Sequence, residues 1–222
     1  MPIHPVLLIV VVILAWVLVR VSLQLISRRK GRVQVSYSEA AQEKEKARLE
    51  QEKARRKAST ALQFFIAQCG RLAQKCKMTV LMPGSIALGD ETTRLTLLLV
   101  GKGGVLGVKS FSFGGEVQGH VAASWTRTEN GETHTFASPV AGCEADTALL
   151  RRLLDENGLG DVPVRCVPVF VNTAAQLHIP AAVEYYTAKS FYAALEEGAL
   201  LPETNCDPAA LMALLQNHLK QG

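Results

Sequence analysis

The sequence predicts an α/β body, an α+β-like mixed sheet flanked by helices, preceded by one transmembrane helix and a charged helical spacer. Three observations carry that prediction. Pro5 to Val19 (PVLLIVVVILAWVLV) contains no polar side chain. Ser38 to Lys57 consists almost wholly of Ala, Glu, Gln, Lys and Arg. Beyond Ser59, apolar residues at helical spacing alternate with short Val/Leu-rich runs bounded by glycine and proline, the pattern of helices interleaved with strands.

Extended through Ile26, the apolar segment reaches 22 residues, enough for the ~20 that cross a hydrocarbon core of ~30 Å. Arg20 falls near the end of the span, where its long stem can snorkel to the interface. A cleaved signal peptide fits less well. Met1 to His4 carries no basic side chain, and Ser-Arg-Arg-Lys-Gly stands where a small-residue cleavage site belongs. Arg28, Arg29, Lys30 and Arg32 follow the span and no Lys or Arg precedes it. The N-terminus is therefore expected outside and the body in the cytoplasm, as at a bacterial inner membrane. Residues 5–32 are the expected lipid contact.

The spacer is rich in strong helix formers and shows no sustained apolar heptad, so a solvated helix is expected rather than a coiled coil. From Ser59 the periodicity changes. Leu62, Phe65, Ile66, Cys69, Leu72, Ala73 and Cys76 form one helical face for a core. Short strands are expected at Met78–Leu81 and Ser85–Leu88. Clearer ones follow at Leu95–Val100 and Val105–Phe111, joined by the glycine-rich turn Gly101-Lys-Gly-Gly104. Glu116–Arg127 and Thr133–Ala137 read as a ribbon turning at Glu129-Asn-Gly131. A helix runs from Pro139 to about Asn157, with Gly158 as its stop. Val164–Val171 is a buried strand in which Pro168 implies an edge or an irregularity. Two further helices are expected near Thr187–Glu197 and Asp207–Lys220. The divisions are an anchor over 1–27 (span about 5–26), a basic flank and spacer over 28–58, the α/β body over 59–175 and a helical extension over 176–222.

The net charge of +4 suggests a polyanionic partner only until it is located. Residues 1–58 hold 12 Lys+Arg against 5 Asp+Glu, whereas residues 59–222 hold 12 against 15. The basic surplus belongs to the membrane flank and spacer, and the body is mildly acidic. Cys69, Cys76, Cys143, Cys166 and Cys206 match no CxxC spacing, and their odd number argues against a disulfide scaffold. Buried free thiols are expected at Cys69 and Cys76. His120 and His134 fall on adjacent candidate strands but without a metal-binding spacing.

The stretch Leu95-Thr-Leu-Leu-Leu-Val-Gly-Lys-Gly-Gly-Val-Leu-Gly-Val-Lys109, followed by Gly114-Gly-Glu-Val-Gln-Gly119 and Trp125, resembles the nuclease-related domain (NERD) family. That family's fold is similar to the PD-(D/E)XK nucleases, and the resemblance covers about residues 60–172. It implies a PD-(D/E)XK-like core of α-β-β-β-α-β order, with an aspartate, a glutamate and a lysine at the active site. At the matching positions stand Thr96, Gly107 and Lys109. The family's Asn-Pro-x-x-Gln becomes Ser138-Pro139-Val140-Ala141-Gly142, which keeps the proline alone. On the first helix, where the family places an acidic residue, lie Ala61, Gln63 and Phe65.

Phosphodiester hydrolysis in such a site needs a divalent metal to polarise the phosphoryl oxygen and activate water. Magnesium is held by carboxylates, and the lysine stabilises developing negative charge. Thr96 offers one neutral hydroxyl and Gly107 offers nothing. The expectation is a pseudoenzyme that needs no cofactor and acts as a binding module for nucleic acid or protein, with Lys109 as the candidate binding residue. Two alternatives stand beside it. One is a magnesium-dependent endonuclease that recruits displaced carboxylates from Asp90, Glu91 or Glu116. The other is a membrane-tethered protein-interaction scaffold. Trp125 is expected to pack rather than to stack on a base.

Overall fold

The computed structural model describes residues 42–121 and 124–219. The span expected at 5–26 and its basic flank lie outside the described residues. Among the described residues, no helix is long and apolar enough to cross a membrane. The chain divides into two compact units, Met1–Lys53 and Ala54–Gly222. Of the first unit, residues 42–53 are described, and they are helical and exposed at every position.

Helix α1 covers residues 42–75, and from Leu62 onward it carries the expected apolar face, with Phe65, Cys69 and Ala73 buried. Three short strands follow, β1 (Thr79–Leu81), β2 (Ala87–Leu88) and β3 (Glu91–Thr92), and then the long hairpin of β4 (Leu97–Gly101) and β5 (Gly104–Phe111). The hairpin turns on Lys102 and Gly103, with Gly101 opposite Gly104. Gly104 has φ +114°, and a Cβ there would lie 2.1 Å from the Pro163 carbonyl oxygen, so only glycine fits. The ribbon comprises β6 (Gly115–Gln118), β7 (Ser124–Glu129) and β8 (Glu132–Ala137). Asn130 and Gly131 turn it with φ of 54° and 81°, the paired positive values of a tight hairpin. Helix α2 (Pro139–Glu156) is capped by Ser138, whose hydroxyl accepts from the Ala141 N–H. It ends where Gly158, at φ +72°, lets the Leu159 N–H reach the Leu154 carbonyl at 2.8 Å. The chain closes with β9 (Val164–Phe170), β10 (Ala175–His178), β11 (Tyr186–Thr187), α3 (Ala188–Glu196) and α4 (Pro208–Asn217).

The principal sheet has the order β1-β4-β5-β9-β11. β1, β4 and β5 are antiparallel, while β9 joins β5 in parallel after the α2 crossover. Helices cover both faces, and strand alternation decides which residues meet which helices. Leu97, Leu99, Leu106, Val108, Val167 and Val169 pack with Phe65 of α1 and Phe191 of α3. Leu98, Val100, Val105, Val164 and Cys166 pack with Leu150 and Leu153 of α2 and Leu211 and Leu215 of α4. The architecture is thus mixed α/β, with its sheet flanked by helices.

Two departures from expectation have clear causes. The single strand read over Glu116–Arg127 is two strands, β6 ending at Gln118 and β7 starting at Ser124. Gly119 leaves the strand and is held by the His178 carbonyl at 3.0 Å, while Trp125 Nε1 donates to the His120 carbonyl at 3.0 Å. The ribbon also becomes a separate four-stranded sheet of order β10-β6-β7-β8. Its fourth strand, β10, alternates apolar and polar residues but spans only four positions, too few to mark a strand in the sequence. Pro168 behaves as expected, because β11 pairs with β9 only at Val169 and Phe170, so no ladder N–H is missed.

All three core clusters draw on residues 62–219. The unit from Ala54 onward therefore contains its own hydrophobic core and meets the condition for folding alone. Leu99 is fully buried on β4. Leu99→Ala in this unit is expected to cost about 3 kcal/mol, read as a lowered urea midpoint with an unchanged slope.

Candidate functional site

The three positions implied by the resemblance lie on β5 and just before β4, and the structure closes each in a different way. On β5, Gly107 stands opposite Leu98 of β4 and Cys166 of β9. A Cβ on Gly107 would lie 2.5 Å from Cys166 Sγ and 2.8 Å from Leu95 Cδ1. The space of a side chain at this position is filled by the thiol, and a carboxylate there would require both neighbours to move.

Lys109 lies two residues along the same face. Its Nζ crosses over Gly142, where a Cβ would approach to 2.9 Å, and donates to Asp146 Oδ2 at 2.7 Å. The second carboxylate oxygen, Asp146 Oδ1, accepts from the Arg94 N–H at 3.1 Å. The pair is largely withdrawn from water, with 19% of the Lys109 side chain and 8% of the Asp146 side chain exposed. Asp146 already offsets the charge of Lys109, so the lysine presents little net positive charge to a phosphate.

Thr96 is engaged as well. Its Oγ1 accepts from the Ser110 N–H at 3.0 Å and lies 2.6 Å from Ser110 Oγ. These bonds direct it along the hairpin to its neighbour rather than into a shared site with Lys109.

The outlying carboxylates do not converge on Lys109. Asp90 is exposed between β2 and β3. Glu91 forms an ion pair with Arg152 at 2.9 Å, and Glu116 lies 3.6 Å from His178 Nε2. Among the described residues, no group of three or more His, Cys, Asp and Glu side chains is placed to hold a metal ion. Trp125 is fully buried and lies 6.2 Å from Phe170 with nearly parallel rings, so it packs. His120 is exposed, and His134 sits 3.7 Å from Glu132 at the edge of the ribbon.

Asp146 was missed in the sequence, although a signal was present. It occupies the core-facing stripe of α2 with Cys143, Leu149, Leu150 and Leu153, and an acid in an apolar stripe asks for a buried partner. Beside it opens a cavity of about 320 Å³ bounded by Cys143, Thr147 and Cys166, with Glu144, Arg151 and Glu184 around it. Thr147 Oγ1 donates to the Cys143 carbonyl at 2.8 Å and accepts from the Cys166 N–H at 3.0 Å, tying helix to strand. Burial pushes the thiols up, Cys143 to about 12 and Cys166 to about 11. All five cysteines are free, and both of these remain protonated near neutral pH, which makes them poor nucleophiles.

Two predictions follow from this geometry. Asp146→Ala leaves Lys109 as an unpaired, largely buried cation and is expected to cost about 3 kcal/mol, while Lys109→Met with Asp146→Leu recovers most of it. A double-mutant cycle in urea reads this coupling. The raised thiols stabilise the fold below the ordinary thiol range, because only the unfolded chain loses their protons as pH rises. Stability should therefore fall from about pH 9 toward pH 11. Cys143→Ala and Cys166→Ala should each flatten that slope in pH-dependent denaturation.

Compared with known proteins, the chain matches no family model, no curated protein and no solved structure, so its residues and their geometry alone carry the functional reading.

Proposed function

We propose that the chain is a membrane-anchored, cytoplasmic protein with a nuclease-related fold that does not perform metal-dependent cleavage and acts by binding. The observation that carries this reading is the contact at Gly107, where Cys166 Sγ fills the place a metal-holding carboxylate would need. The capture of Lys109 by Asp146 supports it from the adjacent position. The resemblance itself is supported by strand order. Within the principal sheet, an initial helix, the antiparallel strands β1, β4 and β5, the crossover helix α2 and the parallel strand β9 follow the α-β-β-β-α-β order that it implies, with β2–β3 and the β6–β8 ribbon inserted between them. The acidic balance of residues 59–222 favours a protein ligand over nucleic acid. The anchor rests on Pro5–Ile26 and the basic residues that follow.

Incubation of the purified chain with plasmid DNA and magnesium or manganese is expected to give no cutting above the protein-free control. Cutting that depends on the metal and is lost in Lys109→Ala would overturn the reading. In cell fractionation the full chain should pellet with membranes and resist alkaline carbonate, while a chain lacking residues 1–27 should not. Carbonate extraction of the full chain would remove the anchor from the proposal.

A further inference from the structure

A second cavity, of about 420 Å³, opens on the other face of the principal sheet. It lies where the end of α1, the β4–β5 turn and the segment after α3 meet. Its volume falls in the range of small-molecule sites, ~300–1,000 Å³. Leu106 of β5 and Leu195 and Leu200 beyond it line the interior and are buried. Lys77, Lys102 and Glu203 line the same cavity and are exposed. The interior is therefore aliphatic and the mouth is charged.

The wall is held in place rather than draped. The Lys102 carbonyl accepts from both Thr204 Oγ1, at 2.8 Å, and the Cys206 N–H, at 2.9 Å. A Cβ on Gly103 would lie 3.1 Å from the Pro202 carbonyl oxygen, so the segment rests directly on the turn. Lys75 is already paired with Glu196 at 2.8 Å. Lys77, Lys102 and Glu203 make no ion pair among the described residues. The charged residues that line the cavity are thus two lysines and one glutamate, a surplus of one positive charge.

We propose that this cavity binds a medium-chain fatty carboxylate, with the alkyl chain over the Leu106, Leu195 and Leu200 floor and the head at the Lys77 and Lys102 mouth. An aliphatic floor recognises the chain by burial, and the surplus single charge matches a monoanionic head. A phosphate monoester, at about −1.5 to −2, exceeds that surplus. The proposal is independent of the nuclease-related reading, because Leu106 faces the opposite side of the sheet from Gly107 and Lys109.

The test uses the Ala54–Gly222 unit and the fluorescent probe dansylaminoundecanoate, with undecanoate as competitor. Saturable one-to-one binding is expected. Lys77→Glu with Lys102→Glu should weaken it roughly ten-fold, and Leu201→Trp, which places a ring on the cavity wall, should abolish it. Thermal melts of both variants check that the fold is intact. The methyl ester of the probe should bind roughly ten-fold more weakly to the unaltered unit, a comparison that needs no variant. Absence of saturable binding, equal binding of the ester, insensitivity to Leu201→Trp in a folded variant, or tighter competition by undecyl phosphate would each overturn the proposal.

Discussion

The register of β5 between β4 and β9 is the constraint on which the rest of the structure depends. β5 is buried on both faces over Gly104–Val108, so each of its residues belongs to one of two cores, and a slip of one residue would exchange them. Leu106 and Val108 are committed to α1 and α3, whereas Val105 is committed to α2 and α4. The same parity sends Gly107 and Lys109 toward α2. Because β5 pairs in parallel with β9, Gly107 is set opposite Cys166 and Lys109 opposite Pro168. The filling of the Gly107 space is therefore a consequence of pairing, not a local accident of one side chain.

Lys109 and Asp146 add a second restraint perpendicular to the first. Burying two charges costs desolvation that their attraction offsets only with good geometry and further hydrogen bonds. Asp146 meets that condition through Lys109 on one oxygen and the Arg94 N–H on the other. The lysine reaches it across Gly142, where a methyl group would crowd the ammonium. The interaction thus pins α2 to β5 at one point of an interface otherwise formed by apolar side chains. It also joins the loop before β4 to the crossover helix, two segments that share no strand pairing.

Much of this was legible in the residues. The apolar stripe from Leu62 to Cys76, the Gly101–Gly104 turn, the Asn130–Gly131 hairpin, the Ser138–Pro139 helix start and the Gly158 stop are local signals, and the chain obeys them. Less legible were elements whose formation depends on distant partners. β10 and β11 span four and two residues, too few for alternation to mark a strand, and they become strands because β6 and β9 offer edges to them. The site was half legible. The loss of acids at Thr96 and Gly107 is written in the sequence, but the identity of what fills the space is not. Cys166 lies far along the chain, and only parallel pairing brings it to Gly107. Asp146 was readable as an acid in an apolar stripe, yet its partner was not, since the distance from Lys109 is set by α2 packing.

The double hydrogen bond on the Lys102 carbonyl has a consequence for biosynthesis. Its donors lie on Thr204 and Cys206, and Thr204 is 102 residues downstream. At roughly 5–20 residues per second, the ribosome delivers that segment about 5–20 s after the β4–β5 hairpin has emerged. During that interval the aliphatic surface around Leu106 lacks the wall supplied by Leu200 and Leu201. The hairpin must therefore wait, apolar and partly uncovered, until residues 200–206 arrive. Apolar surface left open in this way during synthesis is the kind that chaperones cover.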